Sequence, residues 1–417
     1  MKTTHLTLRN PCGIAARTTF AALAILGGAC TEMKDPVEGT QSIRVELVTP
    51  ASGGSKDVRL PDAQRTITVN LTALDAQGEV DTSFSRTVQV YAQFLGTLTP
   101  KLTEAPLGTF TLLSGKATNQ SVTLPLAFGP TTLWIDDGKS SEPTYATGTS
   151  PILWYRDPFI SDLQTPKSET ALDALFSIPL EAKQVNVSTS RYGARGRFVV
   201  TSVFSQGYTV SDVECADANG TPPCTAQAYD HAMIFSFSAP RGDDGVPILE
   251  GQTIEGFAGG VDEFNGLTEI GFPQTFGGGG KNVNKAREPA PAVVDSETTV
   301  TPGTWFDALT APGGGLINFE RNEAAPIKVL NAKVCDLDSD YATFKQWKLD
   351  PFGVGGNCKG NKKVLNLITA GTVSDIDPTM LVGRTLPSVT GVLRPVSIGT
   401  FNVWIIYPRS AADLVLQ

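Results

Sequence analysis

The chain has 417 residues, room for about three domains, and its 41% hydrophobic against 18% charged residues exclude wholesale disorder. Lys+Arg number 33 and Asp+Glu 42, a net charge of −9 that argues against gripping nucleic acid by charge, and 2 histidines exclude a His-rich metal cage. The 41 glycines and 28 prolines favour many short strands over helices, so an all-β chain is expected.

Lys2, Arg9 and Arg17 precede an apolar run over 20–26 and the small residues Gly27, Gly28 and Ala29. A basic start, a short apolar stretch and small residues before a cut predict a secretory signal over 1–29. The run is too short to cross ~30 Å of hydrocarbon as a permanent helix. Cys30 directly after the small residues resembles the lipobox of bacterial lipoproteins, in which that cysteine becomes the acylated first residue. The family usually places Leu three positions earlier; here that position is Gly27, with Leu26 one further back. The resemblance implies lipidation of Cys30, each buried CH₂ of its chains contributing ~0.8 kcal/mol to membrane attachment. Cysteine parity agrees: Cys12 leaves with the signal, and acylating Cys30 leaves Cys215, Cys224, Cys335 and Cys358 to pair. Thr31 replaces the Asp that retains enterobacterial lipoproteins at the inner membrane, so the outer membrane is expected, with 30–41 as a lipidated tether. Gly27 and Ala29 also suit ordinary signal peptidase, which would release a secreted protein.

Over 42–150 the pattern has period two: Ile43, Val45, Leu47; then Ile67, Val69, Leu71, Ala73; then Val88, Val90, Ala92; then Val122 and Leu124. Turn-forming clusters separate these runs, which predicts a β-sandwich. The segment 74–81 (LDAQGEVD) resembles the strand-turn of immunoglobulin-like modules in bacterial surface proteins, which implies a spacer without chemistry.

Residues 151–290 predict a second unit. Strand 197–204 pairs with 207–213 as a hairpin, Met233, Phe235 and Phe237 alternate along a third strand, and 251–261 and 262–270 follow. Gly277 to Gly280 and then 288–292 (EPAPA) read as a flexible and then a stiff linker. Residues 291–417 predict five more strands, at 326–334, 344–349, 364–368, 389–393 and 401–414, with interior glycines that suit a small closed barrel. Residues 386–393 (LPSVTGVL) followed by 407–413 (YPRSAAD) resemble the end of OB-fold-like domains in bacterial extracellular lipoproteins and beside secreted nucleases. Residues 260–270 (GVDEFNGLTEI) are similar to an earlier strand-turn of that family. The resemblance implies two OB-like β-barrel units, and barrels of this type bind oligonucleotides, sugars or proteins, or merely connect.

Local pairing, Cys215 with Cys224 and Cys335 with Cys358, is the economical disulfide arrangement; zinc is disfavoured because the chain has no CxxC. Asp336, Asp338 and Asp340 alternate like the start of a calcium loop, yet Tyr341 and Trp347 stand where that loop needs Gly and Glu. Calcium is therefore a minor expectation beside a solvated acidic hairpin, and no other cofactor is implied. Asp230 and His231 point to opposite faces of a strand, no Gly-x-Ser-x-Gly elbow exists, and Lys281 is followed by Asn282 where a phosphate loop needs Ser or Thr. Tyr208, Phe235, Phe237 and Trp404 read as core first and as stacking platforms second.

The expectation is a non-enzymatic, lipid-anchored envelope or surface protein that binds a polysaccharide or protein partner. The alternative is a nucleic-acid-binding accessory protein, served by a local basic strip of Lys333, Lys345, Lys348, Lys359, Lys362 and Lys363. A hydrolase with dispersed carboxylates is a third reading, although no pair stands out in the sequence.

Overall fold

In a computed structural model, the described residues are 39–95, 105–139, 145–169, 177–294, 296, 305–306, 317–373, 375–398 and 401–416. The signal segment, Cys30 and most of the tether lie outside them. Among the described residues the strands form three sheets, and the fold is all-β as expected.

The first sheet comprises β1 (Ser42–Thr49), β2 (Thr66–Leu74), β3 (Thr87–Phe94), β4 (Gly108–Thr111), β5 (Lys116–Thr123), β6 (Pro130–Asp136), β7 (Thr147–Thr149) and β8 (Leu153–Trp154). Its order is β4-β3-β6-β7-β1-β2-β5, with β8 on β6. The two halves meet at one parallel pair, Ser42 with Thr147. Period-two alternation puts Ile43, Val45, Ile67, Val69, Leu71 and Ala73 from one half, and Val88, Val90, Ala92, Leu133 and Ile135 from the other, into a single core. Asp75 Oδ1 accepts from the amides of Gln77 and Glu79, closing the turn that follows β2. The unit runs past residue 150, because Leu153 pairs with Thr131 and Tyr155 is buried in the same core.

A short helix, α1 (Ile160–Gln164), leads into the second sheet: β9 (Gln184–Val187), β10 (Gly196–Phe204), β11 (Gly207–Cys215), β12 (Cys224–Thr225), β13 (His231–Phe235), β14 (Thr253–Ile254), β15 (Gly256–Phe264) and β16 (Leu267–Phe276). β10 pairs with β11, β11 with β13, β13 runs parallel to β16, and β16 pairs back with β15, while β14 returns to β10.

The third sheet holds β17 (Ala292–Val294), β18 (Pro326–Val334), β19 (Gln346–Asp350), β20 (Leu365–Ile368), β21 (Thr385–Ile398), β22 (Phe401–Tyr407) and β23 (Leu414–Val415), with helices α2 (Ile317–Glu320) and α3 (Ser339–Phe344) between strands. It follows a similar path, with β21 taking the place that β14 and β15 share in the second sheet. β18 pairs with β19, β19 with β20, β20 runs parallel to β22, β22 pairs with β21, and β21 closes on β18. The predicted strand at 344–349 starts later than expected, because α3 ends at Phe344 and Lys345 turns the chain with φ 59°. Trp305, Phe319, Trp347 and Trp404 share the barrel core.

The Gly277 to Gly280 stretch is not the flexible linker its composition suggests. Gly278 and Gly279 are buried. The amides of Gly279 and Gly280 donate to Asp244 Oδ1 (2.8 Å) and Gln252 Oε1 (2.9 Å), and Gln252 Nε2 donates back to the Gly278 carbonyl at 2.5 Å. A Cβ at Gly279 would lie 2.0 Å from the Val246 carbonyl oxygen, so glycine is needed for contact rather than for mobility.

The second and third sheets are joined by specific polar contacts. Arg409 Nη1 donates to the Thr201 carbonyl and to Glu288 Oε2, both at 3.0 Å, and Arg321 Nη2 reaches Glu169 Oε2 at 2.8 Å.

Candidate binding site

A cleft of about 320 Å³ lies between the first two sheets, lined among others by Phe94, Phe128, Asp157, Lys183, Gln184 and Asn186. Each wall has a local cause. Phe94 ends β3, where alternation has run out and its ring is half-buried. On β9, Val185 packs toward the core and Val187 is buried, so the alternate residues Gln184 and Asn186 are left exposed. Asp157 is fixed by Arg59 Nη2 (3.3 Å), Asn186 Nδ2 (3.2 Å) and Ser188 Oγ (3.3 Å), all of which donate to its Oδ2. Lys183 Nζ lies 5.6 Å from the centre of the Phe94 ring. The cleft thus offers an aromatic wall, two amides, a carboxylate and an ammonium. These groups can stack against and hydrogen-bond a polar ligand.

The structure divides the four aromatic candidates. Tyr208 and Trp404 are buried, the Tyr208 hydroxyl sharing a hydrogen bond of 2.7 Å with Thr275 Oγ1. Phe237 is 65% exposed and Phe235 half-buried, and Phe272, 81% exposed, joins them. Ring centres lie 5.2 Å apart for Phe235 and Phe237, and 5.1 Å apart for Phe237 and Phe272. Sequence reasoning passed over Phe272 because strict alternation ignores bulges. Its one signal is the run Gly271, Phe272, Pro273 inside a strand, which marks an irregularity.

The acidic triplet of the third unit is drawn together differently from a calcium loop. Lys348 Nζ lies 2.6 Å from Asp338 Oδ2 and 2.6 Å from Asp340 Oδ2, so an ammonium already occupies the place between them. Burial pushes the Asp338 carboxyl up, but Lys348 and the Asp340 amide more than offset this and hold it below its usual range. Asp336 is exposed and its amide donates to the Gly356 carbonyl instead. Among the described residues, no group of three or more His, Cys, Asp or Glu side chains is placed to hold a metal ion. The same contacts remove Lys348 from the basic strip, and Lys345 and Lys363 sit over the rings of Tyr341 and Phe352.

Both disulfides form in the expected pairing, Cys215 with Cys224 and Cys335 with Cys358. Cys215 and Cys224 are direct partners in register between β11 and β12, which closes the turn-rich loop between them. Cys30 lies outside the described residues.

Asp230 and His231 do point apart. Asp230 Oδ2 accepts from Arg191 Nη2 (2.8 Å) and the Tyr192 hydroxyl (2.5 Å), whereas His231 Nδ1 lies 2.7 Å from Ser211 Oγ. Burial, with help from Arg191, drives the His231 imidazolium down to about 3, so the ring is neutral at neutral pH. Burial likewise raises the Asp212 carboxyl to about 7.

The carboxylates that do converge are Glu263, Glu320 and Glu323, at the seam between the second and third units. Thr268 links two of them, its amide donating to Glu323 Oε1 at 2.9 Å and its hydroxyl to Glu263 Oε2 at 3.0 Å. None of the three lines the cleft or the smaller cavity of about 170 Å³ beside His231. Through Thr268, Glu323 ties the second unit to the third. Comparison with family models, curated proteins and solved structures gives no match.

Proposed function

We propose that the chain is a lipid-anchored protein of the bacterial outer membrane or cell surface with a non-catalytic binding role. In this reading an immunoglobulin-like sandwich carries two OB-like barrels, and the cleft between the sandwich and the first barrel holds part of a polysaccharide. The signal-like start and Cys30 support the anchor. The similar strand path of the last two sheets, β10-β11-β13-β16-β15 and β18-β19-β20-β22-β21, with β13–β16 and β20–β22 parallel at matching places, supports the barrel assignment. The two half-sheets of the first unit, meeting at Ser42 and Thr147 over one core, support the sandwich.

The observation that carries the ligand class is the cleft itself. A sugar ring presents an apolar C–H face and a rim of hydroxyls, and the cleft offers a Phe94 wall beside the Asn186 and Gln184 amides and Asp157. Nucleic acid is the weaker partner, because the basic strip loses Lys348 to two aspartates in a chain of net charge −9.

Titration calorimetry of the mature protein with short neutral sugars tests this reading. Binding that Asn186→Ala or Phe94→Ala weakens about tenfold, with an unchanged melting temperature, supports it. Binding indifferent to both variants, or salt-sensitive binding of single-stranded DNA in its place, overturns it.

A further inference from the structure

Sheet register carries the cleft lining across the outer face of the first barrel. Gln184 on β9 pairs with Gly260 on β15, Gly260 with Gly271 on β16, and Gly271 with Phe235 on β13. Residues directly opposite one another in adjacent strands share a face, so these four form one row. A second row on the same face is Asn186, Ala258 and Gln274. The intervening rows point inward: Val261, Ile270 and Ile234 are core, and a Cβ at Gly259 would meet Ile270 Cγ2 at 2.5 Å. One end of the outer row lies in the cleft, and the other is the exposed phenylalanine cluster. Three strand spacings of about 4.8 Å separate them, about 14 Å in all.

The middle of the row has no side chains. A Cβ at Gly271 would meet only the Gly260 carbonyl oxygen, at 3.9 Å, and one at Gly260 would meet only the amide end of the exposed Gln184 side chain. The floor is therefore bare, half-exposed backbone at Gly271, and at Gly260 it is covered only by the movable amide end of Gln184. At the far end β16 carries an extra residue between Gly271 and Gln274, opposite Gly259, and there Phe272 adopts φ 50°. A bulky side chain rarely takes that left-handed conformation, and here it leaves the ring 81% exposed against Phe237. The two rows carry three amides, two glycines, an alanine and a phenylalanine, and no charge.

We propose that this strip is a track for an extended, neutral polysaccharide chain, running from the cleft over Gly260 and Gly271 to Phe235, Phe237 and Phe272. The proposal rests on the reading of the cleft as a sugar site and extends it to a chain. The glycine floor lets sugar rings lie against the sheet, the amides of Gln184, Asn186 and Gln274 meet hydroxyls along the edge, and the phenylalanine rings take an apolar ring face at the end. The rows themselves carry no charge and the next row on the same face is the acidic pair Asp262 and Glu269, which matches a neutral chain rather than a phosphorylated or uronic one.

The test uses the mature protein with cello- and chito-oligosaccharide series of increasing length, in the wild type, Gly271→Val and Phe272→Ala. Gly271 has an ordinary strand backbone, so valine fills the open space without strain. The expected result is that the longest oligomer of one series binds at least tenfold more tightly than the disaccharide. Gly271→Val should abolish that gain with disaccharide affinity and melting temperature unchanged, and Phe272→Ala should reduce it. Disaccharide binding with no gain on lengthening, or a gain that Gly271→Val leaves intact, overturns the track and leaves the cleft site standing. No binding by any member of either series overturns both.

Discussion

The backbone amide of Thr268 donates to Glu323 Oε1 at 2.9 Å, tying the β15–β16 hairpin of the second unit to the segment that opens the third. Glu323 is 2% exposed, and its other oxygen, like one oxygen each of Glu263 and Glu320, is buried without a hydrogen-bond partner. Burial raises all three carboxyls, Glu263 to about 8 and the other two well above their ordinary value. Glu181 and Asp262 push Glu263 the same way, Glu263 and Glu320 push Glu323, and Arg394 opposes the shift at Glu323.

The folded chain therefore holds protons that the unfolded chain releases. The stability they contribute is present below the ordinary value of 4.5 and is lost as pH rises through about 8. Urea midpoints should fall between about pH 6 and about pH 9. Glu320→Gln, which keeps the shape and removes the titration, should flatten the fall and gain about 1–3 kcal/mol at the alkaline end. A midpoint that rises with pH in this window would contradict the seam assignment.

Gly279→Ala should destabilise the second unit by roughly 1–3 kcal/mol, because its Cβ meets the Val246 carbonyl oxygen at 2.0 Å. Limited proteolysis gives the sharper readout. The wild type should resist cleavage across 277–281 and the variant should be nicked there first, whereas a flexible linker would be cut equally in both.

Lys348→Met should cost about 1–3 kcal/mol, since it leaves Asp338 and Asp340 facing each other without the ammonium between them. Millimolar calcium should leave the wild-type melting temperature unchanged, because the place between the carboxylates is taken. A calcium-dependent rise in the wild type would restore the calcium reading.

Replacing Cys335 and Cys358 with serine should destabilise more than replacing Cys215 and Cys224. The first bridge spans 23 residues and the second 9, and chain-entropy reasoning puts the losses at about 2–4 kcal/mol with a difference under about 1 kcal/mol. Chemical denaturation of the two double variants under oxidising conditions compares them directly.

Mass spectrometry of the mature amino terminus tests the anchor. A start at Cys30 carrying acyl chains is expected, and an unmodified Cys30 or a start elsewhere would remove the lipid from the proposal.

Period-two alternation made several strands of the first unit legible, because Val45, Ile67, Val90 and Val122 each face the core, whereas β6 with Ile135 was not read. Composition misled where a backbone contact mattered. The glycines over 277–280 read as a linker, but their use is close approach to Val246 and Gln252. Aromatic candidates could not be sorted by type: Trp404 fills the third core while Phe237 stands in solvent, and alternation alone gives both the same standing.

By itself the amino-acid order made legible an all-β chain, most of its strand positions and, as the economical choice, the local pairing of four cysteines, because each depends on neighbours a few residues apart or on simple parity. Tertiary structure decided the cleft, the carboxylate seam, the ammonium between Asp338 and Asp340, and the outward row from Gln184 to Phe235. Those arise where strands distant in the chain come into register, and register is set by which faces can be buried together.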